Sequence, residues 1–274
     1  MVDNSKFKVA CVQLTTGTDV SESLDLLEKH LLTAKRQGAD LVVTPEQTLL
    51  MAKDKFSLFQ NISYEDKDFG LRKLKEIIKE VGLFVIIGSI SIKYSEDLAL
   101  NRTYVFNPDA DIVGIYDKIH MFDVSLNDGE KYHESKLYQP GEKLSVVSLP
   151  WCDVGLTICY DLRFPDLYRK LAQKGASIIV VPSAFTVTTG EAHWHTLLRA
   201  RAIETGCYVL APAQVGKHAN GRVTYGHTMI ISPWGEIISE ITGEQSIAFA
   251  DVDISLVENF RKKIPSINQN NYYM

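Results

Sequence analysis

The sequence predicts an α/β protein in which helices cover sheets of mixed strand direction, with this arrangement built twice along the chain. Strand-sized apolar runs alternate with segments whose apolar residues recur at helical spacing, and hairpin-like pairs of runs occur in both halves. No stretch rich in Pro, Gly or Ser, no low-complexity tract and no charge block separates the halves. These three observations place the chain in the α/β class.

The first half repeats a βαβ rhythm and then turns antiparallel. Gly82 stands where the second helical pattern stops, and the turn Asn107-Pro108-Asp109-Ala110 joins two extended runs as a hairpin. The predicted elements, in order, are a strand over 8–14, a helix over 21–37, a strand over 40–44, a helix over 66–81, a buried parallel strand over 83–89, and hairpin strands over 101–107 and 111–116.

The second half resumes the rhythm after a long polar loop over 118–143. Its last two strands are turned by Pro233-Trp234-Gly235. The predicted elements are strands over 146–149 and 154–159, a helix over about 165–174, a strand over 177–181, a helix over 191–205, a strand over 207–213, and a strand pair over 228–232 and 236–241.

The composition narrows the class of partner. The 274 residues are 45% hydrophobic and carry 29 basic and 34 acidic side chains, so the net charge of −5 does not favour nucleic acid or an anionic membrane. No apolar run approaches the roughly 18 residues of a membrane span, and the N-terminal apolar patch is too short for a secretory signal. We therefore expect a cytoplasmic protein that acts on a small molecule, and its four cysteines should be reduced.

The sequence contains none of the common cofactor motifs. It has neither a Gly-x-x-x-x-Gly-Lys-Ser/Thr loop nor a Gly-x-Gly-x-x-Gly after a strand, so nucleotide-dependent chemistry is not supported. It also lacks the Cys-x-x-Cys pair of a zinc knuckle or a redox couple.

Three strand ends deliver groups suited to nucleophilic catalysis. The strand over 40–44 leads to Glu46, the run over 111–116 leads to Lys118, and the strand over 154–159 ends in Cys159. Cys159 would be the nucleophile, Glu46 a base whose pKa is raised by partial burial, and Lys118 the cation that holds an oxyanion. Singly, the same residues also fit a buried structural cysteine, a helix-capping glutamate and a solvated lysine. Only their combination favours catalysis.

Three segments resemble the signature segments of the nitrilase, or carbon-nitrogen hydrolase, superfamily. They are Pro45-Glu46, the run from Tyr116 to Asp123 (YDKIHMFD) and the run from Ile158 to Pro165 (ICYDLRFP). The resemblance covers about residues 8–253. It includes Gly141, Pro182-Ser183-Ala184-Phe185, His193-Trp194, Arg199-Ala200-Arg201-Ala202-Ile203-Glu204, Tyr225-Gly226-His227 and Ser232-Pro233-Trp234-Gly235.

This resemblance implies a four-layer α-β-β-α sandwich with mixed sheets and hydrolysis of non-peptide C–N bonds without metal or cofactor. It assigns Glu46 as base, Lys118 as oxyanion-stabilising lysine and Cys159 as nucleophile. Glu134 would orient Lys118. A sandwich of this kind needs most of the chain, so we expect residues 1–274 to form a single domain, with a C-terminal tail of little core pattern from about 260 that reaches toward a second subunit.

The pattern is most similar to the Nit branch, whose activities are hydrolysis of deaminated glutathione and ω-amidase action on α-ketoglutaramate or α-ketosuccinamate. The segments over 199–209 and 224–229 look closer to the first activity. The expected reaction is hydrolysis of a small carboxylate-bearing amide to acid and ammonia through a thioester. An ω-amidase, or another hydrolase of the superfamily, is the alternative.

Three further residues are candidates for contact with the substrate. The backbone N–H of Tyr160 would support the oxyanion, Arg163 would bind a substrate carboxylate or form a structural salt bridge, and Phe185 would form an apolar pocket wall or belong to the core. We expect a homodimer or a higher homo-oligomer, with the helix over 191–205 at the dimer interface, so His193, Trp194 and His195 are interpreted as structural.

Two other interpretations remain open. In the first, Cys159 pairs with His193 or His227, as in thiol proteases. In the second, the chain is a catalytically silent scaffold that binds other proteins, although the intact set of Glu46, Lys118, Glu134 and Cys159 argues against this.

Overall fold

Two six-stranded sheets form the centre of the molecule in the computed structural model, which describes residues 5–125 and 131–269. The strands are β1 Lys6–Gln13, β2 Leu41–Val43, β3 Phe84–Lys93, β4 Ala99–Phe106, β5 Ile112–Asp117, β6 Asp123–Ser125, β7 Lys131–His133, β8 Ser145–Ser148, β9 Asp153–Leu156, β10 Ile178–Val180, β11 Tyr208–Ala211, β12 Val215–Lys217, β13 Val223–Tyr225, β14 Met229–Ile231, β15 Ile237–Glu240 and β16 Ser246–Asp253. The α-helices are α1 Val20–Arg36, α2 Lys55–Asn61, α3 Phe69–Val81, α4 Pro165–Gln173, α5 Val187–Thr205 and α6 Ser255–Lys263. Within the described residues, no helix is both long and apolar enough to cross a membrane.

The two sheets repeat one plan. The first has the strand order β16-β1-β2-β3-β4-β5 and the second has the order β15-β14-β11-β10-β9-β8. In each sheet three central strands run parallel, β1-β2-β3 and β9-β10-β11, and the outer strands are antiparallel to their neighbours. The predicted mixture of βαβ units and hairpins is therefore confirmed.

Alternating side chains of β1 define the layers. Val9 and Cys11 belong to the apolar core between the two sheets, whereas Ala10 and Val12 belong to a second core with the apolar faces of α1 and α3. Helices α4 and α5 pack on the outer face of the second sheet, where apolar residues of both helices join the central core. The order of layers is α-β-β-α, so the predicted fold class is confirmed.

Short polar elements account for most differences from the predicted boundaries. The helix predicted over 66–81 begins at Phe69, because the carboxylate of Asp68 accepts the N–H of Leu71 as an N-cap. Helix α5 begins earlier than predicted, at Val187, because the Thr186 hydroxyl caps it. The loop over 118–143 contains the hairpin β6–β7, and α2, β12, β13, β16 and α6 were not predicted.

The expectation of a C-terminal tail with little core pattern is wrong for residues 260–269. Phe260 on α6 and the following Ile267 are buried, and Arg169 and Gln173 of α4 donate hydrogen bonds to backbone carbonyls of residues 266–269. Two well-spaced apolar anchors suffice to hold this segment on its own chain. The remaining part of the predicted tail, residues 270–274, lies outside the described residues.

Candidate active site

One cavity of about 460 Å³ is lined by all the residues predicted for the site. Its lining includes Glu46, Lys118, Glu134, Cys159, Tyr160, Arg163 and Phe185. Glu46 follows β2 and Lys118 follows β5 in the first sheet, whereas Cys159 follows β9 in the second. The cavity thus lies where the strand ends of the two sheets meet, as expected for open α/β sheets.

A glycine in β3 allows the segment after β2 to pass close to the sheet. A Cβ at Gly88 would lie 2.0 Å from the carbonyl oxygen of Thr44 and 2.4 Å from Cβ of Pro182. The Gly88 N–H also donates to the Thr44 hydroxyl. Only glycine permits this approach, which brings Glu46 to the boundary of the two sheets and buries it.

Lys118 connects two carboxylates. Its ammonium lies 2.8 Å from Oε1 of Glu46 and 2.8 and 3.0 Å from the two carboxylate oxygens of Glu134, and the lysine is only 2% exposed. The amide Nδ2 of Asn101 donates to both carboxylates, and the N–H of Phe122 donates to Glu134 at 2.7 Å. Every carboxylate oxygen in this network therefore has a donor, since the N–H of Ala184 serves Oε2 of Glu46.

Cys159 sits at a sharp turn between β9 and a short 3-10 turn. Its φ of 48° is in the left-handed region, which is uncommon for a residue with a side chain, and its N–H donates to the carbonyl of Pro182. The thiol faces the Glu46 carboxylate and the N–H of Ala184. The turn therefore aims the sulfur at the proposed base.

Asp161 joins the turn of Cys159 to the segment of Lys118. Its fully buried carboxylate accepts the N–H of Ile158, the Tyr116 hydroxyl, and both the N–H and Nδ1 of His120. In the sequence, Tyr116 and His120 lie two residues before and after Lys118, and Ile158 directly precedes Cys159. Asp161 therefore fixes the relative position of two strand ends from different sheets.

The protonation states differ from the sequence prediction in one respect. Burial acts to raise the pKa of Glu46, but the charge and hydrogen bond of Lys118 outweigh it and hold the pKa below its ordinary value. The prediction of a raised pKa is wrong because the lysine is in contact with the carboxylate. Burial and the negative charge of Glu46 raise the pKa of the Cys159 thiol, and the two glutamates raise that of Lys118 despite its burial. The resting site therefore holds a thiol, a carboxylate and an ammonium.

Arg163 and Phe185 form part of the cavity wall. The Arg163 guanidinium lies over the rings of Tyr160 and Phe185 at 5.8 and 5.6 Å, and both of its terminal nitrogens lie 3.4 Å from Nδ1 of His193. Within the described part of the chain, this guanidinium has no carboxylate partner. Phe185 is buried and also packs on Trp194. Each of the two thus combines a packing contact with a position on the cavity wall.

Sequence reasoning missed three side chains of the site. Asn101 is a buried amide in β4, where Arg102 and Thr103 are also polar, so it carried no distinct signal, whereas Asp161 is the acid inside the third signature segment and carried a weak one. Arg222 gave no signal beyond being a cation in a polar loop. Its guanidinium donates to the carbonyl of Ala184 and lies over the ring of Tyr132, and its buried Nε has no hydrogen-bond partner among residues 5–125 and 131–269. Together with Lys53, Lys131 and Arg163, this side chain makes the cavity wall cationic.

The geometry does not favour a cysteine-histidine pair. His193 faces Arg163, and His227 bonds Glu240 at 2.6 Å. Neither histidine lines the cavity that contains Cys159, and the Glu46 carboxylate occupies the position of a base beside the thiol.

Comparison with known proteins identifies the family of the chain. The model of the carbon-nitrogen hydrolase family matches residues 8–262. The chain therefore belongs to the carbon-nitrogen hydrolases, enzymes that hydrolyse C–N bonds such as those of amides.

Among its relatives, a deaminated glutathione amidase from Yersinia enterocolitica is 38% identical over 268 residues, covering 96% of this chain and 93% of the relative. Omega-amidase NIT2 from Danio rerio is 34% identical over 265 residues, covering 97% of this chain and 95% of the relative. The crystal structure of Saccharomyces cerevisiae Nit3 aligns with a TM-score of 0.86 at 28% identity and covers 97% of both chains. The C. elegans NitFhit structure aligns with a TM-score of 0.89 at 29% identity, covering 97% of this chain and 65% of that longer chain.

Proposed function

We propose that this chain hydrolyses deaminated glutathione, with Cys159 as nucleophile, Glu46 as general base and acid, Lys118 as oxyanion partner and Glu134 as the residue that orients Lys118. The observation that carries the proposal is the contact of a buried thiol, carboxylate and ammonium at the bottom of a cavity with a cationic wall. The similarity to the Yersinia enterocolitica amidase supports the choice of substrate.

The first half-reaction follows from the protonation states. Glu46 takes the thiol proton as the sulfur of Cys159 attacks the amide carbonyl, so no free thiolate accumulates. The oxyanion is held by the Lys118 ammonium and the N–H of Tyr160. Glu46 then returns the proton to the amine as the C–N bond breaks, which leaves a thioester on Cys159.

The second half-reaction uses the same groups. Glu46 deprotonates a water molecule, whose oxygen attacks the thioester carbonyl, and the returning proton restores the thiol. No metal or cofactor takes part in this scheme. The lowered pKa of Glu46 keeps it ionised and ready for both steps at neutral pH.

The chemistry of deaminated glutathione changes the expected leaving group. Its scissile amide joins a keto acid to cysteinylglycine, so hydrolysis releases 2-oxoglutarate and that dipeptide instead of ammonia. Ammonia remains the product only for a primary amide such as α-ketoglutaramate. The activity assay must therefore measure the amine that leaves as well as the acid.

The dimensions and charge of the cavity favour the larger substrate. A volume of about 460 Å³ lies in the range of about 300–1,000 Å³ typical of sites for small organic ligands. Deaminated glutathione, a tripeptide analogue with a carboxylate at each end, uses that volume and more than one wall cation. α-Ketoglutaramate has half as many heavy atoms and one carboxylate.

A substrate panel tests the proposal. Deaminated glutathione, α-ketoglutaramate, a simple nitrile and an N-carbamoyl compound are compared by kcat/KM, with 2-oxoglutarate, cysteinylglycine and ammonia measured separately. We expect deaminated glutathione to exceed the others by about tenfold or more, corresponding to 1.4 kcal/mol of transition-state binding. A preference for α-ketoglutaramate would instead identify an ω-amidase.

Two variants test the assigned nucleophile and base. Cys159→Ala should abolish turnover and leave the fold intact, whereas the matched control Cys152→Ala, which changes a cysteine away from the cavity, should retain it. Glu46→Gln should abolish turnover without an increase in intact mass, because no base takes the thiol proton as the sulfur of Cys159 attacks. Turnover by Cys159→Ala, or failure of an active-site electrophile to label Cys159, would favour the silent scaffold.

We also infer that residues 1–274 act as one domain, that the chain forms homodimers and that it works in the cytoplasm in metabolite repair. A face of α5 and the β14–β15 hairpin supports the dimer, because Ile203, Trp234, Ile237 and Ile238 are exposed there. Light scattering on the native chain should give twice the monomer mass, and Trp234→Glu should reduce it. A reduced catalytic thiol is compatible with the cytoplasm.

A further inference from the structure

A second group of chemically active side chains lies outside the cavity. His195 of α5, His227 after β13 and Glu240 at the end of β15 place their nitrogen and oxygen atoms within 4.8 Å of one another. Nε2 of His195 lies 2.8 Å from Oε1 of Glu240, and Nδ1 of His227 lies 2.6 Å from the same oxygen. None of these three residues lines the catalytic cavity.

We propose that His195, His227 and Glu240 form a binding site for a divalent transition-metal ion such as Zn²⁺ or Co²⁺. Two imidazole nitrogens and one carboxylate oxygen are the ligand types that these ions bind in proteins. Three ligands from three separate elements converge on one point, and a water molecule would complete a four-coordinate ion. The site would tie α5 to the β14–β15 hairpin.

The surrounding contacts hold the ligands in place. His227 has a φ of 58°, in the left-handed region, between Gly226 and Thr228. Its ring stacks on Tyr225 at 4.3 Å and its carbonyl accepts the indole N–H of Trp194. Ligands that are oriented by such contacts lose less freedom when an ion binds.

The present geometry needs a small opening to admit an ion. With metal–ligand distances of about 2.0–2.1 Å, neighbouring ligands of a tetrahedral ion lie about 3.3 Å apart, so each nitrogen must retreat by roughly 0.5–0.7 Å from the Glu240 oxygen. The side chains of His195, His227 and Glu240 are 35%, 24% and 22% exposed, which gives an ion access and leaves room for this movement.

The proton balance of binding is simple. When each ring carries a single N–H, the contact with the Glu240 carboxylate places that N–H on Nε2 of His195 and on Nδ1 of His227. On metal binding, each proton moves through solvent to the other nitrogen of the same ring, Nδ1 of His195 and Nε2 of His227, and the freed lone pairs coordinate the ion. No proton is released overall, and no oxidant or reductant is needed.

Binding is tested with Co²⁺ and Zn²⁺ in a Cys159→Ala background, which removes the catalytic thiol as a competing ligand. Equilibrium dialysis should give one ion per chain. The Co²⁺ protein should show a visible d–d spectrum without a thiolate charge-transfer band. Adding His195→Ala or Glu240→Gln should weaken binding at least tenfold, whereas adding His193→Ala, two residues away on the same helix, should leave it unchanged.

A second measurement keeps the proposal open to refutation if a ligand variant is poorly folded. At a free Zn²⁺ concentration 100 times its Kd, the Tm of the Cys159→Ala chain should rise by about 5 °C or more. Absence of saturable binding by the Cys159→Ala chain would overturn the proposal. The proposal would also be overturned if adding His195→Ala or Glu240→Gln gave a folded chain that binds Co²⁺ with the same affinity as the Cys159→Ala chain.

Discussion

Replacing Lys118 by Met should destabilise the protein strongly, and a second substitution should restore much of the loss. The lysine is 2% exposed and bonds Glu46 and Glu134 at 2.8 Å each. Without it, the buried carboxylate of Glu46 faces the partly buried carboxylate of Glu134, and within the described residues only the Asn101 amide donates to both. Breaking a buried ion pair by removing one partner costs about 3–5 kcal/mol. At about 2–4 °C per kcal/mol, the Tm should fall by roughly 6–20 °C.

The double variant Lys118→Met/Glu134→Gln separates stability from catalysis. It leaves a single buried carboxylate and replaces the other by an amide of the same shape, so we expect it to recover about 2 kcal/mol or more of the loss. Turnover should be absent in both variants, because neither has a cation for the oxyanion. Urea unfolding followed by circular dichroism gives the free energies, and the release of 2-oxoglutarate gives the activity.

The pH dependence has a defined sign. Two facing carboxylates raise the folded-state pKa of one of them in Lys118→Met, so the folded chain binds a proton that the unfolded chain does not. The difference in free energy of unfolding between the native chain and Lys118→Met should therefore shrink as the pH falls from neutrality toward 5. Lys170→Met is the control, because its pair with Asp166 is 56% and 73% exposed and is worth less than about 1 kcal/mol. The electrostatic account would be refuted if Lys118→Met lowered the free energy of unfolding by less than about 1 kcal/mol, or if the double variant were less stable than Lys118→Met.

Four other outcomes can be measured. Asp161→Ala removes an acceptor shared by four hydrogen bonds, two buried and two partly buried, and should lower the free energy of unfolding by about 3–5 kcal/mol; a change under about 1 kcal/mol would contradict its assigned role. Gly88→Ala should lower it by about 3 kcal/mol or prevent folding, since its Cβ would lie 2.0 Å from a backbone oxygen, and a native Tm would disprove this reasoning. Because burial raises the pKa of Cys159, its alkylation by iodoacetamide, measured against Cys159→Ala, should still accelerate above pH 9, and a plateau by pH 8 would be inconsistent. Arg163→Gln should raise KM for deaminated glutathione by about 10–100-fold with little change in kcat, whereas an unaltered KM would exclude it as a carboxylate ligand.

The sequence was sufficient to predict elements whose signals are local. Periodicity identified α1 and α3, and Gly82 ends α3 in a left-handed conformation as expected. Most of the elements it missed are short or polar; β16 is the exception, since it has eight residues of which five are apolar. Helix α2 has one buried residue, Leu58, so it lacks an apolar stripe, and the hairpin β6–β7 has no fully buried side chain. Their conformation depends on capping and on neighbouring segments, which a periodic pattern does not record.

The residues of the site also divide into those with a local sequence signal and those without one. Glu46, Lys118 and Cys159 could be assigned to one cavity from the sequence because each lies within three residues of a strand end and in a recognisable motif. The pKa of Glu46 was mispredicted because it depends on a contact between residues 72 positions apart. Asn101 and Arg222 were missed for a related reason, since their roles arise from distances across the fold.

The position of the site between the sheets explains why its parts depend on one another. Glu46 reaches its partners from the first sheet, but the N–H that holds its second oxygen belongs to Ala184, which follows β10 of the second sheet. Pro182 of that same segment accepts the N–H of Cys159 and also packs where Gly88 lacks a side chain. A shift of either sheet would therefore move the proposed base and the proposed nucleophile relative to each other. The dense core between the sheets thus fixes the spacing of the thiol and the carboxylate, which in the proposed mechanism is the distance over which the thiol proton passes.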